Sequence, residues 1–415
     1  MSDDRGGAVA AGEPDTLADP GRPDPTGPGP DATPADTAGP AAGTTGPATG
    51  TAAAAGGGGP ARRRWCLGTR LVVTGTALWT LFLVAHVLLT GRWWPWLIVE
   101  STPPITLVVV PLLLLVVSPL ARPVRRWLSP LLVVLVVAGM ALAGLHVRVL
   151  GGGPTGTTPP APSVKVMAWN TDIWTMDDDP DAFLAYLREQ RADVYLLQEY
   201  LLWDDDAVRV DDLARIRAAF PEHEVVVEGE LVTISKLPVV ATHPRPVPEG
   251  GSAWYWRGNK AQRVDVRLGE EVLSIYNVHL FVPLRRELSP FGGEFYDFVR
   301  DQYHLRQAEL AALRADVAAN PNPVVVAGDF NTPWVGSLVD VGPGLRRHDP
   351  AGGSVLASSW PTASYNLPRL WRLDWLLTTD DLEVAGYHFA PNPGFSDHLA
   401  QHFIVSPSGT SRGDR

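Results

Sequence analysis

The sequence predicts an α/β protein: two packed sheets with helices outside, preceded by three transmembrane helices. Three observations carry that class. Three apolar runs lie between residues 71 and 150, each long enough for the roughly 20 residues that a hydrocarbon span needs. After residue 163, β-like runs outnumber helical ones and many are sequence neighbours, which favours hairpins over a doubly wound parallel sheet. Finally, residues able to bind metal, hold phosphate or move protons fall at or near the ends of those runs.

A chain of 415 residues exceeds one ordinary core, so more than one region is expected. Residues 1–65 are mostly Ala, Gly, Pro, Thr and Asp. They hold too little apolar side chain to offset chain entropy and read as a disordered cytoplasmic tail. Cys66 is the only cysteine, so the fold must stand without an internal disulfide.

The three apolar runs are Leu71 to Thr90, Trp96 to Leu120 and Leu128 to Leu150. No small-residue cleavage site follows the first, and two more runs do, so it reads as a retained span rather than a signal peptide. Trp93, Trp94, Trp96 and Trp127 lie where an interfacial aromatic belt would be. Arg62, Arg63, Arg64 and Arg70 precede the first span, and Arg122, Arg125 and Arg126 separate the second from the third. Only Arg92 and Arg148 mark the opposite side. Basic loops stay cytoplasmic, so the chain after residue 150 is expected outside, on a multi-pass plasma-membrane protein. Glu100, Pro103 and Pro104 interrupt the second span. Near the outer interface, Glu100 reads as a solvated or snorkelling carboxylate.

A Gly/Pro/Thr linker covers 151–162, a domain covers 163–407, and 408–415 reads as a disordered tail. Strands are expected at Ser163–Trp169, Asp193–Gln198, His223–Glu228, Leu231–Ser235, Val239–His243, Gln262–Leu268, Val272–Val278, Val324–Asp329, Leu373–Leu377, Glu383–Phe389 and Leu399–Val405. Helices are expected at Pro180–Arg191, Asp211–Phe220 and Val299–Ala318. Asn170, Glu199, His279, Asp329, Asn331, Asp397 and His398 sit at strand ends, and Asp374 at or near one. Each alone is an ordinary turn or cap residue; together they read as one site. Four carboxylates and two amides without a thiolate form an oxygen-rich donor set, which favours Mg²⁺ or Mn²⁺ over zinc. The matching chemistry is attack of water on a phosphate ester or anhydride, with two histidines for proton transfer.

Six motifs occur in order: Trp169-Asn170, Gln198-Glu199, Asn277-Val278-His279-Leu280, Gly328-Asp329-Phe330-Asn331, Arg372-Leu373-Asp374-Trp375 and Ser396-Asp397-His398. In these the chain resembles the endonuclease/exonuclease/phosphatase superfamily, which includes pancreatic-type deoxyribonucleases, abasic-site endonucleases, inositol polyphosphate phosphatases and neutral sphingomyelinases. The resemblance implies a four-layered α/β sandwich. It implies Glu199 as principal Mg²⁺ ligand, with Asn170 supporting metal and phosphate and Asp397 as a further ligand. Asp329 would orient or deprotonate water, and Asn331 would hold the water or the phosphate. Asp374 would orient His398 against the scissile phosphate, and His279 matches the second histidine of the deoxyribonuclease and sphingomyelinase branches. Leu399-Ala400 departs from a proline common in the superfamily.

From residue 161 onward, 23 Lys and Arg face 36 Asp and Glu, a formal charge of −13. That field opposes a polyanionic duplex, and an anchored domain meets lipid head groups instead. Trp254, Tyr255, Trp256, Phe281 and Phe291 are candidates for contact with membrane or lipid substrate, with packing inside the domain as the competing reading. Tail, spans and domain together resemble the actinobacterial VanJ-type membrane proteins associated with glycopeptide resistance. That likeness implies a polyprenyl pyrophosphate of cell-wall synthesis. The alternatives are a tethered nuclease or phosphodiesterase, and a non-catalytic lipid- or drug-binding protein.

Overall fold

A computed structural model describes residues 65–145, 162–174, 179–285, 287–333, 342, 344–351, 357–362, 367–391 and 393–408. The expected tails and the linker lie outside the described residues, apart from Trp65, Pro162 and Ser408.

The apolar part forms α1 (Leu67–Leu89), α2 (Trp96–Glu100), α3 (Thr106–Val117) with a 3₁₀ turn at Ser118–Ala121, and α4 (Arg125–Leu142). Only α1 and α4, among the described residues, are long and apolar enough to cross a membrane. The expected single helix from Trp96 to Leu120 does not form. Pro103 and Pro104 have no N–H to donate, and the chain turns between α2 and α3. Packing within this helical part is modest: Val72, Leu83, Leu107, Leu132 and Leu135 make a small core, while Leu71, Leu78, Leu81, Leu113, Val116, Val134 and Val137 face outward.

Gly139 shows how α3 and α4 run. A Cβ there would fall 2.1 Å from the Leu107 carbonyl oxygen, so the end of α4 lies against the start of α3. At the other end Thr69 Oγ1 donates to Leu120 O at 3.3 Å. The turn between α1 and α3 and the arginine-bearing segment around Arg122 therefore occupy opposite ends of this helical part. Glu100 is not solvated as expected: it is 2% exposed, and its Oε1 accepts the Gly91 N–H at 2.7 Å. The turn folds back on itself and encloses the carboxylate.

The large domain begins with β1 (Val164–Asn170), α5 (Pro180–Glu189), β2 (Val194–Gln198), the hairpin β3 (Leu201–Asp204) and β4 (Asp206–Arg209), and α6 (Leu213–Ala219). Next come β5 (Glu224–Glu228), β6 (Leu231–Ser235), β7 (Val239–Thr242), the short α7 (Ala253–Trp256), β8 (Ala261–Leu268), β9 (Glu271–His279) and α8 (Gly293–Ala319). The remaining strands are β10 (Val324–Asp329), β11 (Leu345–His348), β12 (Asp374–Thr379), β13 (Leu382–Ala390) and β14 (Ala400–Pro407). The strands β3, β4 and β11 and helix α7 go beyond the sequence expectation. Asp179 caps α5 by accepting the Ala182 N–H at 2.9 Å, with Pro180 at the first helical position.

Two six-stranded sheets result, in the orders β13-β14-β1-β2-β6-β5 and β11-β12-β10-β9-β8-β7. Alternation along the strands builds the layers. Val164, Val166 and Ala168 meet Val325, Ala327 and Ile275 between the sheets. Met167 and Trp169 face α5, with Phe183, Leu184 and Leu187. Val324 and Val326 face α8, with Leu310, Leu313 and Val317. The order helix, sheet, sheet, helix is the expected four-layered sandwich.

Gly328 on β10 has φ +141°, and a Cβ would lie 2.0 Å from the Val278 carbonyl oxygen on β9. The close neighbour is a paired strand. Gly328→Ala is therefore expected to destabilise the domain by about 2–4 kcal/mol, seen as a lower thermal unfolding midpoint of the detergent-solubilised chain.

Candidate active site

Strand register assembles one half of the site. In the second sheet, β10 pairs parallel with β9 and antiparallel with β12, which sets His279, Asp329 and Asp374 level across three strands. In the first sheet, β1 pairs parallel with β2, which sets Asn170 beside Gln198, just ahead of Glu199. Ser396-Asp397-His398 leads into β14, the other neighbour of β1. The Ser396 hydroxyl ties this turn down, donating to Asn170 O at 2.6 Å and accepting the His398 N–H at 2.9 Å.

Asp329 is the centre and is fully buried. Its Oδ2 accepts Asn170 Nδ2 at 3.0 Å and lies 3.7 Å from His279 Nε2 and 3.6 Å from His398 Nε2. Each histidine has its own carboxylate behind it. His398 Nδ1 is 2.9 Å from Asp374 Oδ2, and His279 Nδ1 is 2.9 Å from Glu230 Oε2. Two imidazoles thus present Nε2 to the same carboxylate, each with its ring orientation set from behind. Among the described residues the buried His279 Nε2 has no hydrogen-bond partner, as expected of an atom reserved for a ligand.

The charges follow from this packing. Burial alone would push His398 down, but Asp374, Asp329 and Asp397 hold its imidazole well above the ordinary value. His279 is raised in the same way, burial being outweighed chiefly by Glu230. Burial raises Asp329, reinforced by Asp374 and opposed by the two histidines. Glu230 moves the other way: burial is outweighed by His279 and Lys260, which lower it.

A second cluster adjoins the first. Asn170 Nδ2 also donates to Glu199 Oε1 at 3.0 Å, and Glu199 Oε2 accepts the Ile173 N–H at 2.9 Å. Asp397 Oδ2 accepts Trp360 Nε1 at 2.6 Å. Burial raises Glu199, and Glu230 and Asp397 add to the effect. Asp172 is pushed up to about 7 by burial together with Asp397 and Glu199. Buried hard-oxygen donors that repel one another fit a divalent cation. Asp329, Asp374 and His398 also lie close enough to share an ion. The Asp374–His398 hydrogen bond already occupies Nδ1, so these three are better suited to proton handling.

All eight motif residues converge, with one qualification of role. Asn331 leaves the strand at φ +49°; its N–H donates to Asp329 Oδ1 at 2.7 Å and its Nδ2 to Leu280 O at 2.9 Å. Its amide therefore braces the Asp329 turn. The aromatic candidates divide. Trp254, Tyr255 and Phe281 are buried, and Trp256 packs on Trp203 and donates to Asp206 Oδ1 at 2.8 Å. Trp254, Tyr255 and Trp256 pack within the domain because α7 lies on the β3–β4 hairpin, and Phe281 packs near Lys260. Phe291 is 98% exposed.

Sequence reasoning missed Glu230, Lys260 and Asp172. Glu230 follows Gly229 between β5 and β6 and looks like turn punctuation. Lys260 is 2% exposed, pairs with Glu230, and lies 4.1 Å from the Tyr255 ring centroid. The scarcity of lysine, three in the chain, was the only available signal. Glu230→Ala would strand this buried cation and is expected to cost about 3–5 kcal/mol. Thermal unfolding should show the loss, and Glu230→Gln combined with Lys260→Met should recover most of it.

Residues 149–398 match the profile of the Endonuclease/Exonuclease/phosphatase family. No curated protein matches the chain. Similar solved structures include truncated Caenorhabditis elegans TDP2, at 20% identity and TM-score 0.43, covering 59% of this chain and 97% of that one. An endonuclease/exonuclease/phosphatase from Bacteroides vulgatus has 15% identity and TM-score 0.40, with 59% and 99% covered. Staphylococcus aureus beta toxin has 15% identity and TM-score 0.41, with 59% and 100% covered. The profile match takes in more than half of the chain and every motif of the site: the protein belongs to the Endonuclease/Exonuclease/phosphatase family.

Proposed function

We propose that the protein is a membrane-anchored phosphoesterase that hydrolyses a lipid-linked phosphate or pyrophosphate on the outer face of the plasma membrane. The observation that carries the chemistry is the buried Asp329 between two carboxylate-backed histidines. Asp329, with its raised proton affinity, is suited to take a proton from an attacking water. The cationic His398 is suited to hold the phosphoryl oxygens, and Nε2 of His279 to donate to the phosphate or its leaving oxygen. Glu199, Asp397 and Asn170 would hold Mg²⁺, with Mn²⁺ as a substitute. When bound, that ion neutralises charge on the phosphate.

Support for a lipid substrate comes from the anchor. The helices expose apolar side chains, Arg70, Arg122, Arg125 and Arg126 lie at one end with Arg92 at the other, and the turn between α1 and α3 at that other end contacts the large domain. The exposed Phe291 stands on the segment that follows His279. The acidic balance of the domain disfavours nucleic acid. The VanJ-type resemblance narrows the substrate to undecaprenyl pyrophosphate, with cleavage returning the monophosphate carrier and supporting glycopeptide resistance. The second reading, a tethered nuclease or phosphodiesterase, draws on the paired histidines that match the deoxyribonuclease and sphingomyelinase branches.

The full chain in detergent with Mg²⁺ should release phosphate from undecaprenyl pyrophosphate, and a chelator should abolish the release. Asp329→Ala should lower turnover by about a thousandfold. Cleavage of plasmid DNA or sphingomyelin without phosphate release from the pyrophosphate would overturn the lipid-linked reading in favour of the second one.

A further inference from the structure

Glu100 was singled out by the sequence and has no part in the chemistry above. Its surroundings lead to Arg306. This arginine, on α8, is 1% exposed. Its guanidinium donates to the carbonyl oxygen of Phe281 and, at 3.2 Å, to that of Phe330. Those carbonyls come two residues after His279 and one after Asp329, just beyond the ends of the adjacent parallel strands that deliver both. A planar fork bridging two chain segments fixes their separation, which a neutral single donor could not do. Burial lowers the guanidinium to about 10, against the opposing pull of Glu100 and Asp329, so it remains cationic at neutral pH.

Segment 91–101, which carries Glu100, holds α8 at several further points. Gly91 O accepts the Tyr303 hydroxyl at 3.0 Å and Gln307 Nε2 at 3.1 Å. Leu97 is buried with Phe295 and Val299. At its far end, Ser101 O accepts Trp371 Nε1 at 2.9 Å. Trp371 and Trp360 form a β-bridge with ring centroids 5.4 Å apart, and Trp360 holds Asp397. One segment therefore reaches the Asp329 half of the site through α8 and the Asp397 half through two tryptophans.

We propose that segment 91–101 is a working part of the active site, with Arg306 and Trp371 as positioning residues that transmit its seating to Asp329, His279 and Asp397. The proposal rests on the phosphoesterase reading and deepens it: turnover depends on the domain being docked on its own membrane-proximal turn. A purely structural arginine would stabilise the domain without linking that turn to the rate.

The test uses the full chain in detergent, with bis(p-nitrophenyl) phosphate and undecaprenyl pyrophosphate as probes. Two variants act away from the reacting atoms: Tyr303→Phe with Gln307→Leu, and Trp371→Phe. Each should lower kcat on the responsive probe by about tenfold while KM stays within about twofold, as expected when reacting groups are displaced by a fraction of an ångström. Amide hydrogen exchange should quicken around Phe281 and Phe330 in the first variant, and around Asp397 in the second, with β5 and β6 unchanged. Wild-type kcat and exchange in both variants would overturn the proposal. So would quickened exchange spread evenly through the domain, which would mean simple loss of stability. An inert wild-type chain on both probes would instead overturn the phosphoesterase reading, and the exchange pattern alone would then decide for or against the link.

Discussion

A fully buried carboxylate is the constraint around which this site is built. Asp329 sits at the meeting edge of two sheets, where an unpaired charge would be costly. Its neighbours compensate: an amide N–H from Asn170, a backbone N–H from Asn331 and two imidazoles. The imidazoles need anions of their own, supplied by Glu230 and Asp374. Glu230 in turn needs Lys260. A chain of paired groups thus runs outward from one residue, and each link offsets part of the cost of burying the group before it.

The fold makes this chain possible by register rather than by loop design. Parallel pairing of β9 with β10, and antiparallel pairing of β10 with β12, puts His279, Asp329 and Asp374 on one line. The first sheet supplies Asn170, and the turns beside it supply Glu199, Asp397 and His398. Central packing of Val325 and Ala327 against Val166 and Ala168 holds the two edges together. A register slip of one residue would turn Asp329 away from the interface between the sheets.

The turn between α1 and α3 ties the apolar helices to the large domain. It buries Glu100, seats α8 and touches Trp371. Helices and site are therefore continuous through hydrogen bonds.

The sequence by itself determined the layers and most of the site. The apolar run Val324–Asp329, the alternation in Ser163–Trp169, and the polar residues at or near the ends of these and the other expected strands were enough to name the eight convergent side chains, because a strand's pattern and its end are local properties. Only the tertiary structure decided the rest. Glu230 and Lys260 meet across segments thirty residues apart, and nothing in their immediate sequence distinguishes a buried pair from a turn and a surface lysine. Glu100 reads as interfacial until the proline-broken second span folds its turn against α8. Trp254 and Tyr255 read either as contacts for membrane or lipid or as packed aromatics until the unforeseen β3–β4 hairpin covers them. In each case the deciding energy is burial against a distant partner, a quantity that no local window of sequence contains.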